Sequence, residues 1–140
     1  MAKIVLTNPS VTINSVDLSD HISNITLDTK YDVLETTGFG AAGAKTRVGG
    51  LVDNSVSIDF IQDFAAASVE VTINPVGASL VGTVTTLVVQ PVAGTASTTN
   101  PKYTFTALIS DWTPLKGAVG QLSTATVTWP ISGAITKANS

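Results

Sequence analysis

Apolar and polar residues alternate with a period of two along most of this chain. In Ser55-Val56-Ser57-Ile58-Asp59-Phe60 the apolar Val56, Ile58 and Phe60 fall on one face. Thr124-Ala125-Thr126-Val127-Thr128-Trp129 does the same with Ala125, Val127 and Trp129. Tyr103, Phe105, Ala107 and Ile109 share a face within residues 102–110. Within residues 25–33 the odd positions Ile25, Leu27, Tyr31 and Val33 are apolar, with Thr29 the exception. The even positions Thr26, Asp28, Lys30 and Asp32 are polar. Successive strand side chains point to opposite faces, so each stretch predicts a strand with one buried side. Residues 84–89, VTTLVV, alternate less cleanly and predict a weaker strand. β-branched residues dominate throughout, as pleated surfaces favour.

Turn chemistry separates these runs at Asn14-Ser15, 91–94, 98–101 and Lys116-Gly117, and Pro130 closes the last long strand. Residues 11–14 and 16–18 read as two short arms around a tight turn. One segment departs from the pattern. In DFAAASVEVTIN, residues 63–74, an Asp in N-cap position precedes an alanine run, and Phe64, Ala67, Ser68 and Val71 lie on one helical face. Pro75 and Gly77 stop it. Val69, Val71 and Ile73 also alternate as a strand would, yet the cap and the alanines favour a helix. No composition shift or internal repeat divides residues 1–140. The expected fold is all-β, a β-sandwich or barrel with one α-helix.

The stretch GFGAAGAKT, residues 38–46, raises the question of a nucleotide. Gly38, Gly40 and Gly43 match G-x-G-x-x-G, but that fingerprint needs a helix directly after it. Here Lys45-Thr46-Arg47-Val48 runs into Gly49-Gly50 and then a strand. A phosphate loop needs Lys directly after its second glycine, where this chain has Ala44. The stretch instead belongs to a long glycine-rich loop, residues 36–53. Loops of that length inside a compact domain are uncommon and usually functional or disordered. Ordering one costs about 1–2 kcal/mol per residue, which new contacts must offset. Phe39, Val48 and Leu51 are apolar and Lys45 and Arg47 basic, a set suited to docking on a neighbour.

Composition adds to this picture. Seven Lys and Arg face ten Asp and Glu, for a net charge of −3, and charged residues reach only 12%. That is about half the usual share. A surface of Thr, Ser, Ala and Gly suits burial against other protein better than dispersal as a free monomer. There is no basic footprint of the kind that grips nucleic acid. The chain has no cysteine, which removes disulfides, thiolate metal sites and Cys nucleophiles. The apolar run at residues 4–6 is too short for a signal peptide, and no stretch is long enough to span a bilayer as a helix.

Candidate chemistry is sparse. Asp17, Asp20 and His21 lie close in VDLSDHI, but His21 is the single histidine and the spacing fits no metal motif. Asp20 is expected to cap a short turn at His21-Ile22. No serine-nucleophile elbow appears, so no catalytic, cofactor-binding or metal-binding residue is assigned. Trp112 and Trp129, each soon followed by a proline (Pro114 and Pro130), are expected as core anchors at strand ends.

The order of VTINSVDLSDHI, a strand, the glycine-rich loop, VSIDFIQDFAAASVEVTINP, a strand, and YTFTALISDWTPLKGAVGQLSTATVTWPISGAI resembles the major tail tube proteins of long-tailed, non-contractile phages, in particular those infecting actinobacteria. The resemblance covers nearly the whole chain. It implies a structural subunit, not an enzyme, that joins edge strands in six-membered rings stacked into a tube. It also implies self-association, with a tape-measure protein and tail terminator and tail-tip proteins as partners. Double-stranded DNA would pass through transiently, no membrane would be bound, and the protein would reside in the virion tail after assembly in the host cytoplasm. Carried onto this chain, residues 36–53 form the stacking loop, with Phe39, Lys45, Arg47, Val48 and Leu51 at inter-ring contacts. Residues 1–8 and 134–140 form further contacts, and the helix lies outside the inner barrel. Thr26, Asp28, Lys30 and Asp32 are the candidate lumen face. A decoration or baseplate component, or a monomeric Ig-like binding module, are the alternatives.

Overall fold

The computed structural model describes residues 3–139, with the side chain of Ala41 excepted. A five-stranded antiparallel sheet has the order β10-β8-β7-β1-β2, from β1 (Ser10–Ile13), β2 (Val16–Asp17), β7 (Val84–Gln90), β8 (Lys102–Leu108) and β10 (Thr136–Ala138). A three-stranded sheet has the order β3-β6-β9, from β3 (Ile22–Asp28), β6 (Ser55–Ile61) and β9 (Thr124–Pro130). A separate ribbon joins β4 (Tyr31–Glu35) to β5 (Arg47–Val52). Among the described residues the fold is all-β with a single α-helix and no closed barrel.

One apolar core joins the two larger sheets. Val11, Ile13, Leu87, Phe105 and Ala107 come from the first, and Val56, Ile58, Phe60, Ala125, Val127 and Trp129 from the second. The alternation selects Phe105, Ala107, Val56, Ile58, Phe60, Ala125, Val127 and Trp129 among these; it also selects Tyr31 and Val33, which are exposed. Trp129 is fully buried and its Nε1–H donates to the Asp111 carbonyl at 2.8 Å, so its polar atom is satisfied. Trp112 packs edge-on against Phe60 with centroids 5.4 Å apart. In β7 the buried face is Thr85, Leu87 and Val89, and the buried Thr85 hydroxyl lies 3.4 Å from that of Thr83. The weak alternation thus reflects one buried threonine.

The β1–β2 hairpin turns at Asn14 and Ser15, both at positive φ (50° and 68°). That left-handed pair matches the twist of a two-residue hairpin, and Asn tolerates it well.

Several sequence expectations change. The helix is shorter than residues 63–74: α1 spans Val69–Ile73. Asp63 does not cap it. Its carboxylate accepts the Ala65 N–H at 2.9 Å and the Ser68 hydroxyl at 2.8 Å, closing a local turn. Ala67 then takes φ +58°, which no helix continues through. Phe64 and Val71 are consequently exposed, while Val69, Thr72 and Ile73 are buried. Asp20 caps nothing: the short 3-10 turn Ser19–His21 is held by the Asp17 carboxylate, which accepts the Ser19 N–H and hydroxyl. His21 faces Asp63 at 3.5 Å. The strand expected through residues 25–33 breaks between Asp28 and Tyr31, and the loop expected over 36–53 is irregular only over 36–46, because Arg47–Val52 is β5. At the C-terminus Thr136–Ala138 pairs with Thr104, Tyr103 and Lys102 of β8, so that part of the tail is docked on its own sheet. Met1, Ala2 and Ser140 of the expected contact segments lie outside the described residues.

Candidate assembly surfaces

Three features of the three-stranded sheet and its ribbon bear on function. The first is the outer face of that sheet. Register places Asn24, Asp59 and Thr126 in one row, Thr26, Ser57 and Thr128 in the next, and Asp28, Ser55 and Pro130 in the third. The inner rows carry Ile25, Ile58 and Val127, then Leu27, Val56 and Trp129. The outer rows hold small polar residues and two aspartates, with no Lys or Arg. Ser57 and Thr128 hydroxyls bond across strands at 2.9 Å. Of the expected lumen set, Thr26 and Asp28 belong to this face. Lys30 lies in the connection after β3, and Asp32 stands on the separate ribbon. The four residues therefore do not form one strand face, because the chain leaves the sheet at Thr29. Ser57, Thr126 and Thr128 complete the face, and their outward phase is readable from the alternation.

The second is the margin of this sheet. β3 and β9 are its outermost strands, and neither has a strand partner on its outer side among the described residues. Such margins present unpaired N–H and C=O groups that readily take another strand.

The third is the ribbon, which projects as an arm. All five residues of β4 are exposed, as are all of β5 but Gly50. Tyr31, Val33 and Gly49 lie on one face, Asp32, Leu34 and Gly50 on the other. A Cβ at Gly50 would lie 3.2 Å from the Leu34 side chain, so glycine permits this close packing. The tip is pinned by hydrogen bonds from Thr36 N–H to the Thr46 carbonyl (2.8 Å) and from Thr46 N–H to the Thr37 hydroxyl (3.0 Å). Lys45 Nζ reaches Glu35 at 4.0 Å, an exposed pair of little energetic weight. Phe39 stands at the tip with its whole ring in solvent, and Val48 and Leu51 are also exposed. An isolated two-stranded ribbon is marginal in water, and apolar groups on both its faces call for a partner. The sequence set Phe39, Lys45, Arg47, Val48 and Leu51 is thus brought onto one arm.

Asn54 joins the arm to the body, a role sequence reasoning missed. It is 2% exposed, and its Oδ1 accepts the Lys30 N–H at 3.0 Å. Asp53 N–H donates to the Lys30 carbonyl at 2.7 Å, and the Asn54 carbonyl accepts the Ile131 N–H at 2.9 Å. A buried Asn between two strands is the available signal, but its partner lies in a segment the periodicity reads as continuous strand.

Among the described residues no group of three His, Cys, Asp or Glu is placed to hold a metal. No helix among the described residues is long and apolar enough to cross a membrane. The glycine-rich stretch forms the arm tip, where the 3-10 turn Phe39–Ala41 leads to β5. A helix N-terminus for a phosphate is not there.

The sequence matches no protein-family model and no curated protein. Among solved structures, a chain from the tail of an empty GTA particle, computed with helical refinement in C6 symmetry, is similar over 83% of this chain and 81% of its own. The TM-score is 0.56 and the identity 15%. A chain from the six-fold symmetrised baseplate of the anti-feeding prophage is similar over 98% of this chain and 97% of its own, with TM-score 0.57 and 10% identity. At such identities the likeness is one of fold.

Proposed function

We propose that this chain is a structural subunit of a phage-type tail tube, joining copies of itself into six-membered rings that stack. The observation that carries this reading is the incomplete monomer. The sheet has two open margins and the arm has exposed apolar groups on both faces; in this reading neighbouring copies complete them. The six-fold assemblies that contain similarly folded chains support the same arrangement. Lateral pairing of β3 and β9 margins closes a ring and removes the edges that invite aggregation. A head-to-tail contact of the arm then continues the stack. Residues 3–8 supply further contacts in this reading.

The outer face of the β3-β6-β9 sheet lines the lumen in this scheme. Duplex DNA carries one charge per roughly 1.7 Å of axis, so a wall of lysines would hold it at every ring. A wall of Ser, Thr and Asp lets it pass. Tape-measure, terminator and tail-tip proteins are the partners such a tube requires. A baseplate ring is the second reading, favoured by the 98% coverage of this chain in the baseplate match. Electron microscopy of the purified protein at increasing concentration separates them. A tube subunit gives hollow filaments of uniform width and open-ended length. A baseplate component gives rings that stop at one or two layers, and a persistent monomer refutes both.

A further inference from the structure

The arm and the sheet below it are two parts of one long hairpin. The β3–β6 ladder ends with Asp28 opposite Ser55, and the β4–β5 ladder begins with Tyr31 opposite Val52. Counted inward from both sides, Thr29 falls opposite Asn54 and Lys30 opposite Asp53, so the register runs through the break unchanged. The break is not a slip in pairing; the bonding is what changes. A hydrogen-bonded antiparallel pair exchanges two main-chain bonds, one in each direction. At Lys30 and Asp53 only one is made, from Asp53 N–H to the Lys30 carbonyl at 2.7 Å. The Lys30 N–H donates instead to the Asn54 side chain, Oδ1 at 3.0 Å. The third strand stops at the same level. β9 ends at Pro130, opposite Ser55, and Ile131 then donates its N–H to the Asn54 carbonyl. Asn54 is thus held in the body by burial and by that bond, while the chain beyond it has only one neighbour. The substantial contacts of β4 and β5 are with each other. Inside the arm the ribbon is well knit. The Tyr31 ring lies across Gly49 and the Leu34 side chain across Gly50, where an added Cβ would meet them at 3.7 Å and 3.2 Å.

We infer that the arm pivots as one stiff ribbon about the Lys30–Asp53 pair, and that the Asn54 side chain limits the swing. Paired main-chain bonds on both strands hold a ribbon to the plane of its sheet. Here one of the two runs through the rotatable side chain of Asn54, and the remaining main-chain bond serves as the axis. The third strand, which would brace the ribbon, ends one residue pair below. Five residues of β4 and the turn beyond them give a lever of about 20 Å, so a rock of about 15° at the root moves the tip by about 5 Å. The arm can therefore change its angle to the sandwich without breaking its own ladder. This device belongs to the isolated chain, so it stands or falls apart from the assembly reading.

The chain has no cysteine, so spin labels can be placed at will. A Cβ at Gly40 meets nothing within 4 Å, and Thr126 on β9 and Leu51 on β5 are exposed. Gly40→Cys with Thr126→Cys reports distances across the root, and Gly40→Cys with Leu51→Cys reports distances within the arm. Both pairs are labelled and measured by pulsed electron resonance on dilute protein that scatters light as a monomer. The across-root distribution should be at least about twofold broader than the within-arm one. Adding Asn54→Ala should broaden the first further and leave the second as it is. Equal widths in the otherwise unaltered chain overturn the pivot, a comparison that holds even where Asn54→Ala folds poorly. A within-arm distribution as broad as the across-root one overturns the stiff ribbon. A folded Asn54→Ala protein with an unaltered across-root width overturns the role given to that side chain.

Discussion

Asn54→Ala tests whether one buried side chain holds the arm to the sandwich. Truncation removes the bond from Lys30 N–H to Oδ1 and leaves the two backbone bonds at the same junction, from Asp53 N–H and Ile131 N–H. A hydrogen bond contributes about 0.5–1.5 kcal/mol net, and a partner left buried and unpaired costs about 1–3 kcal/mol. Lys30 is exposed, so water can reach its freed N–H, and the lower range applies: about 1–1.5 kcal/mol. The arm has little packing on either face to share that loss, so it falls on the arm's own opening equilibrium. At about 1.4 kcal/mol per decade, the open fraction rises roughly 5- to 10-fold. Hydrogen exchange followed residue by residue should therefore show amides of β4 and β5 exchanging that much faster in the variant. Amides of β6 and β9 should stay within about twofold of wild type on this argument. If all four strands accelerate in parallel, Asn54 is a general core residue and the latch is refuted. Unchanged exchange in the arm refutes it as well.

Other outcomes follow from the same structure. Trp129→Ala removes a fully buried indole and its bond to Asp111, and should destabilise by about 3–5 kcal/mol, seen as a fall in thermal midpoint on the order of 10 °C. The N–H of Ala65 and the Ser68 hydroxyl hold the Asp63 carboxyl below its ordinary value, with a smaller contribution from His21. A depressed acid stabilises the fold above the unfolded value of about 3.9 and loses that contribution as pH falls through the folded value. Wild type should therefore lose thermal stability below about pH 4 more steeply than Asp63→Asn, and parallel melting profiles would contradict this. In particles carrying DNA, Asp28→Lys combined with Thr128→Lys should leave tubes intact and slow genome release. Release at the wild-type rate would remove this face from the lumen.

The sandwich was legible because its strands bury one face each. Val56, Ile58 and Phe60, or Ala125, Val127 and Trp129, leave no other reading of their alternation. The arm was only half legible. RVGGLV carries two adjacent glycines and no alternation, since both faces of the ribbon are in solvent and nothing selects for a buried side. Gly50 is a packing residue in that ribbon, although glycine in sequence reads as loop. The break at Thr29 was invisible for the opposite reason. Tyr31 and Val33 continue the phase of Ile25 and Leu27, while the break itself is set by Asn54, distant along the chain. The helix was overextended because the Asp63 side chain closes a turn rather than a helix, a choice propensity does not decide. The three residues of β10 are too few and too exposed to leave a pattern. The exposed apolar residues of the arm stand out by their incongruity, as apolar groups on a glycine-rich excursion. The polar sheet face needed the register of three strands.

In the proposed assembly the open margins and the arm are completed by other copies. Hydrogen exchange of the same protein, dilute and then assembled, measures this directly. Amides on the outer edge of β3, with those of β4 and β5, should exchange quickly in dilute solution. They should become protected by at least about tenfold on assembly, while core amides of β6 change little. Full protection of the β3 margin and arm in the dilute monomer would contradict it, and so would unaltered exchange there in the assembled state.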